Sequence, residues 1–230
     1  MKSVSELTFD QAMTSLYELA DPAVQASLAH FGSHPGQAVG ITVPRLRKLA
    51  DHHRDHQLAL QLWQTGIHEA RLLACLVDDP QQVTLDQMES WVNDFDSWDI
   101  CDGVCGNLFD RTPWTVERAL AWSEREGEFV RRAGFVLMAE LAVHNKKMPD
   151  EEFLQFFPVM LRHASDGRNF VRKAVNWALR QIGKRSPTLR LAAIEAAHQI
   201  HAIGSPSARW IASDALREFA AKEAKSKEGC

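Results

Sequence analysis

A tryptophan and an aspartate lie one helical turn apart in the segment Ser97-Trp98-Asp99-Ile100-Cys101-Asp102. Residues four apart project side by side from one face of an α-helix, so Trp98 and Asp102 are predicted to be neighbours. An indole face and a carboxylate both attract a flat cation, the first through its quadrupole and the second through its charge. The pair alone also fits a core tryptophan on a helix that exposes an aspartate. Residues elsewhere in the chain must decide between a cation-binding site and this packing role.

Charge is distributed unevenly along the chain, which has 230 residues and a net charge of −4. Residues 1–110 hold 6 basic and 16 acidic residues, whereas residues 111–230 hold 20 and 14. Eight Lys and Arg against a single acid fall between Arg162 and Arg190. Because binding surfaces are built from local charge, this basic stretch favours a polyanion such as a phosphate backbone. Solvated helix faces with uneven charge are the alternative.

Apolar residues recur with helical spacing through almost the whole chain, and alternating strand-like runs are missing. Helices are predicted over residues 9–20, 22–31, 44–53, 56–65, 68–77, 85–94, 98–110, 113–123, 128–144, 149–164, 169–184, 187–201 and 207–225. The predicted first-turn prolines are Pro44, Pro113, Pro149 and Pro187, and the predicted caps are Thr8, Ser97, Thr112 and Ser186.

Several classes of protein are excluded by composition. No stretch is long and apolar enough to span a bilayer, and the N-terminus lacks the apolar run of a signal peptide, so we expect a soluble cytoplasmic protein with no membrane partner. Four cysteines in a chain of this length do not make a disulfide framework. Cys101 and Cys105 lack a nearby His pair or second Cys pair, so we expect buried packing residues rather than a metal site.

A repeat is visible in the second half of the chain. The sequence Phe-Val-Arg-Arg-Ala at 129–133 recurs 41 residues later as Phe-Val-Arg-Lys-Ala, and Ala-Leu-Arg at 178–180 returns after 37 residues. Helix-pair repeats of about 40 residues are typical of HEAT and armadillo proteins. We predict an all-α, right-handed solenoid with a concave basic face, forming one domain over residues 1–230 with a flexible tail of about eight residues. An irregular helical bundle is the alternative.

Four segments together resemble a known family. They are Trp98-Asp99-x-x-Asp102, Arg132 in Val-Arg-Arg-Ala-Gly, Trp177 in Arg-Lys-Ala-Val-Asn-Trp-Ala-Leu-Arg-Gln-Ile-Gly-Lys, and the earlier turn Gly40-Ile41-Thr42-Val43-Pro44. In order and spacing they resemble the signature segments of the AlkD-like DNA alkylation-repair glycosylases, over about residues 28–190.

The resemblance implies a HEAT-like solenoid that binds duplex DNA and excises positively charged N3- and N7-alkylated purines in base excision repair. It makes Asp102 the catalytic carboxylate, Trp98 and Trp177 the aromatic walls of the pocket, and Arg132 the basic residue beside the phosphate of the lesion. No metal or organic cofactor is implied, because a cationic purine is already a good leaving group.

The same resemblance implies contacts to the DNA backbone. Arg180 and Lys184 match positions that touch phosphates, and Arg47 is a further expected contact. Arg172 and Lys173 lie in the repeated basic element and are predicted to join them. The expected partner is double-stranded DNA with alkylated bases, bound by a monomer that is nucleoid-associated when on DNA.

Two other functions stay open at this stage. A noncatalytic HEAT-like binder of damaged or branched DNA needs the basic stripe but has no use for a carboxylate that faces phosphates. A HEAT-repeat scaffold for protein interactions leaves the basic stripe without a purpose.

Overall fold

The computed structural model describes residues 7–30, 37–51 and 53–228. Throughout these ranges the regular structure is helical and no strand occurs. The chain divides into two compact units, unit 1 over Met1–Pro113 and unit 2 over Trp114–Cys230. The prediction of one domain over residues 1–230 stays a prediction. Among the described residues, no helix has the length and hydropathy that a membrane span requires.

Unit 1 contains the acidic half of the chain. Its helices within the described ranges are α1 (Phe9–Glu18), α2 (Pro22–His30), α3 (Val43–Leu49), α4 (His56–Gln64), α5 (His68–Val77), α6 (Leu85–Asn93) and α7 (Trp98–Asn107). A short 3₁₀ helix over Phe109–Arg111 follows α7. The core is partly aromatic: the buried rings of Trp63 and Trp91 stack with their centroids 3.9 Å apart.

Unit 2 contains the basic half. Its helices within the described ranges are α8 (Thr115–Ser123), α9 (Glu128–His144), α10 (Phe156–His163), α11 (Asn169–Arg185), α12 (Pro187–Ala202) and α13 (Pro206–Glu228). A 3₁₀ helix over Asp150–Phe153 precedes α10. Because α13 is helical as far as Glu228, it includes most of the segment predicted as a flexible tail, and that tail stays a prediction.

The repeat seen in the sequence corresponds to equivalent helices of unit 2. Helices α9 and α11 are each 17 residues long, and both begin one residue before the repeated Phe-Val-Arg. The repeated phenylalanines, Phe129 and Phe170, face each other with ring centroids 5.5 Å apart. At Gly134 an added Cβ would lie 2.4 Å from the Ser123 amide nitrogen, so glycine lets α9 approach the end of α8 closely.

The structure confirms a helix at each of the predicted positions, and α5 and α9 have the predicted bounds. Residues 31 and 52 of two predicted helices lie outside the described residues. The prolines Pro44 and Pro187 occupy first turns as predicted. Pro113 does not, since α8 begins at Thr115. Pro149 instead precedes the 3₁₀ helix that interrupts the predicted helix over 149–164.

Two of the four predicted caps are confirmed. The side chains of Thr8 and Ser186 accept hydrogen bonds from the third residue of their helices, and Thr8 forms a reciprocal capping box with Gln11. Ser97 takes the N-cap backbone position of α7, but its side chain makes no cap hydrogen bond. The prediction for Thr112 is wrong, because its hydroxyl donates to the Phe109 carbonyl oxygen, 2.9 Å away, and α8 starts later.

Candidate functional site

Helix α7 contains both members of the predicted Trp98–Asp102 pair. Trp98 is its first residue and Asp102 follows one turn later, and both side chains are half-buried. Four other residues of the helix pack into the core of unit 1: Ile100, Cys101, Val104 and Cys105. The prediction that the two cysteines are buried packing residues is thus confirmed. Trp98 and Asp102, by contrast, each keep part of their surface accessible.

A buried histidine that sequence reasoning missed lies against the first turn of α7. Nε2 of His68, at the start of α5, is 2.9 Å from Oδ2 of Asp99, the residue that follows Trp98. Burial disfavours protonation of the ring, but the hydrogen bond and charge of Asp99 outweigh it and raise the pKa of His68. The contact connects the first turn of α7, which begins with Trp98, to the start of α5.

The Gly-Ile turn is held by a second buried residue, Glu69. Its carboxylate accepts hydrogen bonds from the backbone N–H groups of Val39, Gly40 and Ile41, at 2.9, 2.7 and 3.3 Å. Gly40 has φ +84°, and a Cβ there would lie 2.1 Å from the Asp21 carbonyl oxygen. The glycine is therefore required by both conformation and space. The turn leads directly into α3, which carries Arg47.

Arg47 is exposed and belongs to the same unit as Trp98 and Asp102. Its Nη2 donates to Oδ1 of Asn107, 3.0 Å away, at the last residue of α7. The Asn107 amide in turn donates to the Gly103 carbonyl oxygen at 2.6 Å. Unit 1 thus brings this predicted phosphate contact to the end of the helix that presents Trp98 and Asp102.

Arg132 lies in the first part of α9 in unit 2 and is buried, with 6% of its surface exposed. Its Nη1 donates to the Phe170 carbonyl oxygen at 2.7 Å, and its Cζ lies 6.0 Å from the centroid of the Phe170 ring. A guanidinium has five N–H donors in a rigid fork, so these contacts orient it strictly. The sequence shows an arginine at this position but does not show how deeply its side chain is buried.

Helix α11 carries five of the candidate residues. They are Arg172, Lys173, Trp177, Arg180 and Lys184. Trp177 is half-buried, and Lys173 is exposed. Unit 2 therefore gathers these residues with Arg132 on two adjacent repeat helices, whereas Trp98, Asp102 and Arg47 belong to unit 1.

Three of the α11 cations contact side chains of α13, which sequence reasoning did not foresee. The Cζ of Arg172 lies 5.1 Å from the centroid of the Trp210 ring. Arg180 pairs with Asp214 at 3.2 Å and also with Glu218, whose second oxygen lies 3.0 Å from Lys184 Nζ. The contacted residues Trp210, Asp214 and Glu218 are spaced four apart, which is the only sequence signal of this arrangement.

The Glu218 carboxylate is ionised within this cluster. Partial burial disfavours its charge, but hydrogen bonds from Lys184 and Arg180 outweigh that cost and lower the pKa of Glu218. A phosphate that approaches Arg180 or Lys184 must therefore compete with a carboxylate already in place.

A helical chain of stacked, repeated helix pairs defines the HEAT-like class of fold. A solved structure shares it with a TM-score of 0.71 and 19% sequence identity, over 83% of this chain and 82% of that one. That structure represents a new family of proteins related to the HEAT-like repeat DNA glycosylases with affinity for branched DNA structures. The all-α and HEAT-like predictions are thus confirmed, and the right-handed, concave basic face stays a prediction.

The chain belongs to the DNA alkylation repair enzyme family, whose model matches residues 12–225. This confirms the resemblance drawn from the four sequence segments. Among its relatives, the uncharacterized protein Lin0241 of Listeria innocua is 24% identical over 200 residues, which cover 84% of this chain and 87% of the relative. The uncharacterized protein Lmo0209 of Listeria monocytogenes is 22% identical over 153 residues, covering 64% and 67%.

Proposed function

We propose that this protein is a DNA glycosylase that removes positively charged N3- and N7-alkylated purines from duplex DNA. The observation that carries the proposal is the pair Trp98 and Asp102, one turn apart on α7 and both partly exposed, in a chain of this family. A protein that only binds DNA gains nothing from a carboxylate that faces phosphates, because like charges repel.

The proposed chemistry requires little from the protein beyond charge and shape. An alkylated purine carries a positive charge, so it can leave without being protonated. As the N-glycosidic bond breaks, its electron pair goes to the base, which departs neutral, and positive charge develops on the deoxyribose. The Asp102 carboxylate stabilises that charge and accepts a proton from the water that attacks C1′. The products are the free base and an abasic site.

Trp98 and Trp177 are proposed to contact the cationic base or sugar through their ring faces. Each such contact contributes about 0.5–2 kcal/mol, depending on how far water is excluded. Arg132 is proposed to bind the phosphate beside the lesion. Its orientation by the Phe170 carbonyl oxygen supports that role, since a fixed guanidinium loses little freedom on binding an anion.

The remaining cations are proposed to bind the DNA backbone. Lys173 and Arg47 are exposed, and Arg172 lies against the Trp210 ring. Arg180 and Lys184 must first leave Glu218 on α13. Backbone contacts of this kind hold the duplex without reading its sequence. We propose double-stranded DNA containing alkylated bases as the partner, bound by a protein monomer.

A noncatalytic DNA binder is the second candidate function. It is favoured by one observation, the HEAT-like structural neighbour described by its affinity for branched DNA structures. The two functions share the basic helices and differ in whether Asp102 performs chemistry.

The deciding experiment measures release of 7-methylguanine from DNA under single-turnover conditions. The wild-type protein is expected to release the base, and Asp102→Asn is expected to lose that release while keeping DNA affinity within about twofold, because shape is preserved and only charge is removed. Asp96→Asn is the matched control, since it removes the same charge from an exposed carboxylate of the same acidic segment.

Each outcome distinguishes the candidates. Release by the wild type and by Asp96→Asn, but not by Asp102→Asn, supports the glycosylase. Full activity of Asp102→Asn contradicts the proposal that Asp102 is the catalytic carboxylate. Tight, salt-sensitive binding without release by the wild type favours the noncatalytic binder.

A further inference from the structure

Trp210 on α13 is exposed, unlike the other tryptophans. All seven tryptophans lie in the described ranges, and Trp210 is the most exposed, with 37% of its surface accessible; Trp98, Trp114 and Trp177 are half-buried. The three most buried are Trp63, Trp91 and Trp122. Indoles gain much from burial, so an exposed indole marks a surface suited to contact with another molecule.

The indole is held in place by Arg172. The Arg172 Cζ lies 5.1 Å from the ring centroid, and its Nη2 donates to Oδ1 of Asn169 at 3.2 Å. Its Nε is buried without a hydrogen-bond partner among the described residues. A guanidinium over an aromatic ring is a stable arrangement that restricts ring rotation. Arg172 therefore lies against the Trp210 ring, and part of the tryptophan surface stays accessible.

The repeat places Trp210 at a position equivalent to candidate DNA contacts. Arg132 of α9 corresponds to Lys173 of α11 at an offset of 41 residues, and Lys173 corresponds to Trp210 at an offset of 37. Equivalent residues of successive repeats lie on the same face of a repeat array. Trp210 thus continues the series that Arg132 and Lys173 begin.

Two exposed cations adjoin Trp210 and its partner Arg172 in the sequence. Arg209 precedes Trp210 on α13, and Lys173 follows Arg172 on α11; both are exposed. An aromatic platform among cations is the combination with which proteins bind single-stranded nucleic acid, because the ring stacks on a base while the cations neutralise phosphates. In an intact duplex the base faces are already stacked on one another, so they are closed to an indole.

We infer that Trp210, supported by Arg172, is a stacking site for an unpaired nucleobase of DNA. The inference rests on the proposed DNA binding and adds a substrate preference to it. DNA with an unpaired stretch next to a duplex gains one stacking contact that a blunt duplex lacks, so it is the tighter ligand.

The test compares two labelled DNAs, a blunt duplex and the same duplex with a single-stranded tail of about ten nucleotides. Trp210→Leu is expected to bind the tailed DNA roughly tenfold more weakly than the wild type and the blunt duplex within about twofold. Trp210→Phe should keep most of the preference, because a ring remains. Leu191→Ala on α12 is the matched control, an exposed apolar side chain truncated elsewhere in unit 2.

A second readout reports stacking directly. A 2-aminopurine in the tail should be quenched when the wild-type protein binds and remain bright with Trp210→Leu. Equal weakening on both DNAs, or no weakening on either, overturns the stacking site while leaving DNA binding in place. Failure of the wild type to bind even the blunt duplex instead overturns the proposed function, and the stacking site with it.

Discussion

Replacing Glu218 with glutamine should raise the affinity of this protein for duplex DNA. Glu218 lies 3.0 Å from Lys184 Nζ and also pairs with Arg180, the two cations of α11 proposed to bind phosphate. The pKa of Glu218 is lowered by these partners despite its partial burial, so the substitution removes a full charge at neutral pH. Neither cation then has to leave Glu218 to meet phosphate, although Arg180 still contacts Asp214.

The size of the effect follows from the exposure of the pairs. The side chains of Arg180, Lys184 and Glu218 are 33%, 27% and 26% exposed, so solvent screens them as it does surface pairs. Such pairs contribute about 0.2–1 kcal/mol each. Loss of two of them amounts to about 0.4–2 kcal/mol, or roughly a two- to thirtyfold gain in DNA affinity at low salt. The lower part of that range is expected, because Arg180 keeps its contact with Asp214.

Fluorescence anisotropy with a labelled duplex measures this gain, from about 50 to about 300 mM salt, and the gain should shrink as screening increases. Glu195→Gln is the matched control: it removes the same charge from an exposed position on α12 whose carboxylate accepts a hydrogen bond from Gln199 rather than from an α11 cation. An equal gain from both variants would mean that net charge alone matters. No gain from Glu218→Gln would refute the competition.

Two further predictions concern a phosphate contact and a buried histidine. Arg180→Ala should weaken binding to all duplex sequences and reduce the slope of log affinity against log salt by about one, and an unchanged slope would remove Arg180 from the interface. His68→Gln should lower the free energy of unfolding by about 1–3 kcal/mol near pH 5.5, because a charge-assisted hydrogen bond to Asp99 is lost. The folded-state pKa of His68 is raised above 6.5, so this stabilisation is complete below that pH and disappears as pH rises through the folded pKa. Urea denaturation of both proteins from about pH 5.5 to about pH 9 checks this, and a difference that does not shrink contradicts it.

Helix positions were largely predictable because their signals are local. Apolar spacing alone gave the bounds of α9, and Thr8 and Ser186 cap their helices as their side chains suggested. The prediction failed at Pro113, where a proline that suits a first turn instead precedes the helix by two residues. Sequence spacing shows that a helix begins nearby, but it does not show at which residue the helical backbone dihedrals begin.

The candidate site was predictable only in part. The residue types and the i, i+4 spacing of Trp98 and Asp102 are in the sequence, as is the recurrence of Arg132 and its basic neighbours. The role of Glu69 could not be predicted from the sequence. Its carboxylate accepts hydrogen bonds from backbone groups about thirty residues away, which only the folded chain brings close. The same holds for Asp99 and its partner on α5.

By itself, the sequence determined the helical class, the repeat and the candidate side chains of the site, because each can be read from residue types and their spacing along the chain. The tertiary structure alone decided which of those side chains are available. It buries Arg132, sets Glu218 against Arg180, and leaves Trp210 exposed. These outcomes depend on packing between helices far apart in sequence, where burial and ion pairing are decided by neighbours that no local pattern specifies.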